Sequence, residues 1–424
     1  MRRLNQLFCL LGFWASTTAS LFASAAKPDA GQSIAAEPAR RAPAARPMST
    51  DKSWIGPIGV KRGLFDRPYL ARLGSAVAIG GYIDMLGAFK QDQGISEGWS
   101  FEARRFNIFV SSAIADFVRL TSELEFEHGT EEIALETALV DLLLFHGLNL
   151  RGGILLVPIG RFNLSHDSPI YDLIDRPLVS TQIIPSTFSD VGAGLFGSFR
   201  LGRKHRIGYE LYLLNGLGDG LLSTEGTRLS AGRNPTRFES DNNGSPALSG
   251  RVTYSTPLGL EVAASFYTGI YNTFRRDGQT IAAKQWATII ALDAEYERGP
   301  LVLRGEAAFA HIDVPEELVE LFARRQFGLY FEGTLRVAKG ALSVFDEAAL
   351  YLASRIDYVD LNARRRHATG ELVGEETTRL SVALSFRPVP GTSFRLVYHH
   401  SWLNDPLNNA SRSAALQLGL ATYF

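Results

Sequence analysis

Sulfur and net charge are both scarce in this sequence. Of 424 residues one is Cys and three are Met, and 43 Lys and Arg nearly cancel 44 Asp and Glu. A single cysteine, Cys9, excludes a disulfide framework and a thiolate metal cluster. A formal charge of −1 supplies no basic field, so nucleic acid is excluded as a partner. Beyond the N-terminus no stretch offers the roughly 18 consecutive apolar residues that a spanning helix requires. What is plentiful is glycine, at 40 residues, and aromatic side chains, as 26 Phe, 14 Tyr and 5 Trp. With 46% hydrophobic and 21% charged residues, this profile argues for β-structure and against a disordered chain, a collagen or a helical membrane bundle.

The N-terminus reads as an export address. Arg2 and Arg3 precede a short apolar run, Leu7 to Ala15, and a small-residue site at Ala23-Ser24-Ala25, which predicts a cleaved signal peptide over residues 1–26. Residues 27–74 hold six prolines among many alanines. Such a stretch suits neither a helix nor a ladder and is expected to be an exposed periplasmic linker. From residue 75 to 424 the texture changes to alternating apolar and polar positions, the period-two signature of strands.

Sixteen such segments are predicted: 76–90, 100–113, 116–128, 131–144, 148–157, 191–201, 205–215, 246–256, 258–270, 284–297, 300–311, 325–338, 341–357, 375–388, 392–404 and 412–424. Connections of even rank are tight and rich in Gly, Pro or charge, such as Pro257, Gly299 and Lys339–Gly340. Those of odd rank are mostly longer and polar. Sorting by parity is what an outer-membrane barrel needs, with short periplasmic turns and long outer loops. In 116–128, Val118, Leu120, Leu124 and Phe126 form one row, and Arg119, Thr121, Glu123, Glu125 and Glu127 the other. Closing the sheet turns the polar row to a lumen and pairs every backbone group, as hydrocarbon demands. One segment resists: in 131–144, the alternation that sends Ile133, Leu135 and Leu139 outward also sends Asp141 outward. Either a bulge shifts the register or Asp141 lies at headgroup level.

Gly192-Ala-Gly194-Leu-Phe-Gly197 satisfies G-x-G-x-x-G but lies inside an alternating strand without a βαβ unit, so it argues for close approach at the wall and against a nucleotide. His166-Asp167-Ser168 holds hydrolase ingredients, yet adjacent residues do not make a triad. His399 and His400 point to opposite faces. No cofactor, metal or catalytic group is expected. The connection 158–190 carries apolar residues that a solvated loop does not need, including Ile183 and Ile184. It is expected to fold into the lumen as a constriction loop, with Arg161, His166, Asp167, Asp172, Asp175 and Arg176 setting its field.

The last segment places Leu416, Leu418, Leu420 and Phe424 on one face and ends on Phe424. A terminal Phe in a final strand resembles the signal read by the barrel insertion machinery. Together with the runs Ala103-Arg-Arg-Phe-Asn-Ile-Phe-Val, Ser122-Glu-Leu-Glu-Phe-Glu and Arg151-Gly-Gly-Ile-Leu-Leu-Val-Pro-Ile-Gly-Arg-Phe-Asn, the chain resembles the phosphate-selective porin O and P family over roughly residues 75–424. The resemblance implies a sixteen-stranded homotrimeric porin among outer-membrane lipids, with an inward third loop and an arginine ladder for phosphate. Pore-lining candidates are Arg105, Arg119, Glu123, Glu125, Arg151, Arg200, Arg304, Glu306, Glu332, Arg336, Arg379 and Arg395. Basic and acidic groups are mixed here, which predicts internal pairing and a transverse field without a strong anion preference. The expected function is passive diffusion of small hydrophilic solutes or ions, phosphate among them, through the cell outer membrane. The alternatives are an outer-membrane hydrolase and a structural or adhesion barrel.

Overall fold

The computed structural model describes residues 60–64, 66–67, 77–202, 205–233, 236–340, 346–363 and 373–424. The expected signal peptide and most of the expected linker lie outside them. Sixteen antiparallel strands form the wall: β1 (Val77–Asp92), β2 (Trp99–Ala115), β3 (Val118–Glu127), β4 (Glu132–Phe145), β5 (Leu148–Leu156), β6 (Ser189–Leu201), β7 (His205–Leu214), β8 (Ala247–Ser255), β9 (Leu260–Ile270), β10 (Trp286–Arg298), β11 (Leu301–Ile312), β12 (Arg325–Lys339), β13 (Ala349–Asp360), β14 (Glu376–Arg387), β15 (Thr392–Asn404) and β16 (Ala410–Tyr423). Each strand pairs with its neighbour in the chain, and β1 pairs with β16, so the sheet closes as a barrel. No open edge remains.

Alternation dictates the two faces. Ile290, Leu292, Phe331, Leu380, Val382, Leu384, Leu396 and Leu418 are exposed on the outside, whereas Asp293, Glu295, Glu332, Ser381, Arg395 and Gln417 are buried inside. Outward Trp99, Trp286 and Trp402 lie near the long-loop rim, and Phe117, Phe145, Phe199, Phe394 and Phe424 near the short-turn rim. Two aromatic girdles flanking an apolar band are the outer surface of a transmembrane barrel. At the seam the Phe424 N–H donates to the Gly81 carbonyl at 3.0 Å, and its ring stacks on Phe106 at 5.7 Å. A Cβ on Gly81 would lie 2.4 Å from the Phe424 ring, so this position must be glycine.

β4 takes the bulge alternative. Glu123 pairs with Thr137 and Leu124 with Leu135, leaving Glu136 as an extra residue. Glu136 and Thr137 are therefore both buried inside. The phase beyond them is inverted: Leu139 and Asp141 face inward, and Val140 and Leu142 outward. The outward position expected for Leu139 is thus corrected. The tight turn expected at Lys339–Gly340 is also broader than predicted, because the ladder ends at Lys339 opposite Ala349 and β13 begins there. Residues 341–345, expected to open that strand, lie outside the described residues. Gly192, Gly194 and Gly197 lie in β6, where a Cβ at Gly192 or Gly194 would come within 2.1 or 2.0 Å of the β7 carbonyls of Leu213 and Leu211. The motif serves strand packing.

Candidate functional site

The connection between β5 and β6 builds the site. Its neck is tied where the Val157 N–H donates to the Phe188 carbonyl at 2.9 Å. The Asn163 amide donates to both Val157 and Phe188 carbonyls, and its oxygen accepts the Phe188 N–H at 2.7 Å. From this neck the chain reaches inward-facing groups of β1, β4, β9, β11 and β13 to β16. Those partners surround the lumen, so the loop crosses its interior.

One side of the loop is apolar. The helix α1 (Leu178–Gln182) with Ile183, Ile184 and Phe188 packs on inward Ala287, Ile289, Ala308, Ala310, Val359 and Tyr267, all buried. Small Ala and branched Ile on β10 and β11 leave room for the helix at the wall. The Glu306 carboxylate fixes the approach, accepting the backbone N–H groups of Arg161 and Phe162 at 2.7 and 3.0 Å and the Ser180 hydroxyl at 2.9 Å.

The other side is charged. Arg395 donates to Asp84 at 2.8 Å and to the Ser168 carbonyl at 3.2 Å, while the Ser168 hydroxyl donates to Asp84 at 2.7 Å. Arg387 donates to Asp172 at 2.8 and 3.0 Å. Asp175 accepts from Gln417 at 3.0 Å and lies 3.2 Å from the His399 Nδ1, with Arg104 and Arg379 beyond. Burial raises the Asp175 pKa, but His399, Arg104 and Arg379 overcome it and hold the carboxyl well below its ordinary range. For Arg176, burial and then Arg105 lower the guanidinium pKa. For Arg161, Glu295 and Glu261 outweigh burial and raise it.

An alternating relay of charges runs round the wall: Arg379 to Asp357 at 3.4 Å, Asp357 to Arg355 at 2.9 Å, Arg355 to Glu332 at 3.3 Å, Glu332 to Arg304 at 3.0 Å, Arg304 to Glu295 at 2.8 Å, Glu295 to Arg161 at 3.1 Å and Arg161 to Glu261 at 2.5 Å. Arg151 holds Asp141 at 2.7 Å, Arg251 holds Asp293 at 2.6 Å, and Arg105 holds Glu125 at 3.0 Å and Glu127 at 2.7 Å. Each of these cations is answered locally by a carboxylate.

Of the sequence candidates, Arg105, Glu123, Glu125, Arg151, Arg304, Glu306, Glu332, Arg379 and Arg395 come together in this interior with the loop residues Arg161, His166, Asp167, Asp172 and Asp175. Arg119, Arg200 and Arg336 share the inward row but lie towards the short-turn rim, outside the loop's reach; Arg200 is exposed there, opposite Arg206 in the ladder. Arg176 approaches Thr187 within the loop, and its carbonyl accepts from Arg379 at 2.7 Å. Sequence reasoning missed Arg104. Asp84 pairs with Arg105 and Met85 with Ala103, so Arg104 is a bulge residue and both arginines point inward.

It also missed a segment of the expected linker. Arg67 is buried, where it donates to Asp167 at 2.8 and 2.9 Å and to Glu123 at 2.7 Å, with its guanidinium 3.5 Å from the Phe109 ring centre. Arg62 reaches Glu295 and Glu297 at 3.2 and 2.8 Å, and Lys61 pairs with Glu297. Val60 and Leu64 pack on Leu156 and on hydrophobic groups of the loop. The expectation of exposure fails for Val60, Leu64 and Arg67, which are buried, while Lys61 stays exposed; the ion pairs that hold Arg67 leave no hydrophobic period in the sequence. Glu123, His166 and Asp167 bring ligand atoms within 4.8 Å of one another, a grouping suited to a cation. In this structure Arg67 supplies the positive charge to two of the three.

This geometry defines a class: a closed sixteen-stranded barrel with an apolar exterior and a charged interior crossed by its third long loop. The same fold is found in OmpF of Salmonella typhi, solved with daunomycin, at a TM-score of 0.52 and 12% identity over 82% of this chain and 98% of that one. The outer-membrane channel DcaP of Acinetobacter baumannii matches at a TM-score of 0.51 and 11% identity, covering 82% and 97% of the two chains. In sequence, an uncharacterized protein of Aquifex aeolicus (strain VF5) is 26% identical over 362 residues, spanning 80% of this chain and 79% of that protein. No family model matches the chain.

Proposed function

We propose that this protein is an outer-membrane channel for passive diffusion of small hydrophilic solutes, with the β5–β6 loop as its constriction. One observation carries the reading: the barrel is closed, apolar outside and charged within, an arrangement whose use is a polar path through lipid. The fold shared with OmpF and DcaP supports it. The arginines form no open ladder in this reading; the alternating relay creates a transverse field across the lumen and little preference for phosphate or any anion. A homotrimer, a cleaved leader and recognition of Phe424 during insertion complete the proposal. Planar-bilayer recording tests it. Purified, heat-modifiable protein is expected to give stepwise openings with a reversal potential near zero in a salt gradient. Folded protein that never conducts would refute the channel, and a strong anionic potential would restore the phosphate reading.

A further inference from the structure

We infer that residues 60–64 with Asp66 and Arg67 form a removable bar running from the short-turn mouth into the lumen, so that the barrel conducts at a low level with the bar seated and at a high level with it withdrawn. This rests on the diffusion reading above. The bar joins opposite walls: Lys61 and Arg62 are held by Glu297 and Glu295 on β10, and Arg67 by Phe109 on β2, Glu123 on β3 and Asp167 of the loop. Strands β2 and β10 face each other across a ring of sixteen. Glu297 is the penultimate residue of β10, beside the short turn at 299–300, which places the Lys61 end at that mouth, whereas Phe109 and Glu123 lie away from the turn joining β2 to β3, so the Arg67 end sits deeper in the lumen.

Its grip is graded. The Arg67 end is dry, with side chains of Arg67, Glu123 and Asp167 almost wholly buried, whereas the Lys61 and Glu297 side chains are 47% and 31% exposed. The wet end is screened by salt and weakly held. Gly63 fits the seat because its backbone lies against the loop: a Cβ there would come 2.6 Å from the Leu164 carbonyl. The bar thus presses on the constriction loop as well as entering from the mouth. Residues 68–76 link it to β1, and nine extended residues reach about 30 Å. The bar can therefore leave the mouth without leaving the protein.

Single-channel recording of the full mature chain tests this against Arg67→Glu, the charge swap Arg67→Glu with Glu123→Lys, Lys61→Ala with Arg62→Ala, and deletion of 60–67, each verified as folded by heat-modifiable gel mobility. Arg67→Glu and the deletion are expected to raise mean conductance several-fold, the swap to return it towards the parent, and the Lys61/Arg62 variant to lengthen dwell at the high level. If Arg67→Glu fails to fold, the deletion and the Lys61/Arg62 variant decide. Parent-like conductance in folded variants overturns the bar and leaves the channel standing. Absence of conductance from every variant, the deletion included, overturns both.

Discussion

The loop is held in two different ways on the two sides of the lumen. Towards β10 and β11 it is anchored by apolar packing, Val179, Ile183, Ile184 and Phe188 against Ala287, Ile289, Ala308 and Ala310. Towards β1 and β14 to β16 it is anchored by charge, Ser168, Asp172 and Asp175 against Asp84, Arg387, Arg395 and Gln417. Dispersion and water release are indifferent to the solute in transit. Ion pairs set a field that a passing ion feels. In the proposed channel the dry side would therefore fix where the constriction lies, and the charged side what it presents.

The dry side should break hardest. Phe188 is fully buried, lies tilted against Tyr267 with ring centres 5.4 Å apart and closes the loop's neck. Phe188→Ala is expected to cost about 3–5 kcal/mol, read as an earlier midpoint in urea unfolding of the detergent-folded barrel, with conductance rising as the loop loosens. An unchanged midpoint would deny that the dry side bears the loop.

The charged side should show a different response. Arg395→Met leaves Asp84 with only the more distant Arg105, at 3.9 Å, and is expected to cost about 3 kcal/mol, whereas adding Asp84→Leu removes the poorly answered charge and should recover most of that loss. Unfolding midpoints of the two single variants and the double variant form the cycle. Additive losses would mean that the two residues act separately, against the 2.8 Å contact between them.

Strand number and loop parity were legible because period-two alternation repeats over every strand and survives small errors at the ends. Burial within the 158–190 connection was legible for the same chemical reason in reverse: Ile183 and Ile184 are too apolar for a solvated connection, and both are buried. Bulges were not. The extra residues Arg104 and Glu136 invert the phase, and alternation resumes on either side, so the sequence shows only a conflict, at Asp141, and no location for its cause. Arg67 was out of reach as well. A buried arginine in a Pro- and Ala-rich stretch has the same letters as a solvated one, and its partners Glu123 and Asp167 lie far along the chain.

Neutralising Asp175 sharpens the contrast further. Asp175→Asn is expected to lower stability, since Gln417 keeps an acceptor but His399, Arg104 and Arg379 lose their carboxylate, while shifting the selectivity of the proposed constriction towards anions. One unit charge within about 4 Å of the path is worth ~1 kcal/mol in water, roughly a five-fold change in the permeability ratio. Reversal potentials in a salt gradient measure it. Ile183→Val on the dry side should leave the potential where it was, and a shift there equal to that of Asp175→Asn would erase the division of labour.

The smallest effect expected is a dependence on pH that fails to appear. Burial favours the neutral carboxyl of Asp175, but His399, Arg104 and Arg379 hold its pKa well below the ordinary value of about 3.9. A depressed folded pKa means that the stabilisation from these contacts is fully present above the ordinary value and is lost only as pH falls through the depressed one. Measured in a His399→Gln background, so that the imidazole in contact with Asp175 does not titrate with it, the difference in reversal potential between the Asp175 and Asp175→Asn chains reads this one group, since the other titrating residues are common to both. That difference should stay constant from pH 7 down to about 4. A difference that halves near pH 3.9 would mean that Asp175 titrates as if solvated, and the charged side of the loop would then be a wet surface contact without a fixed field.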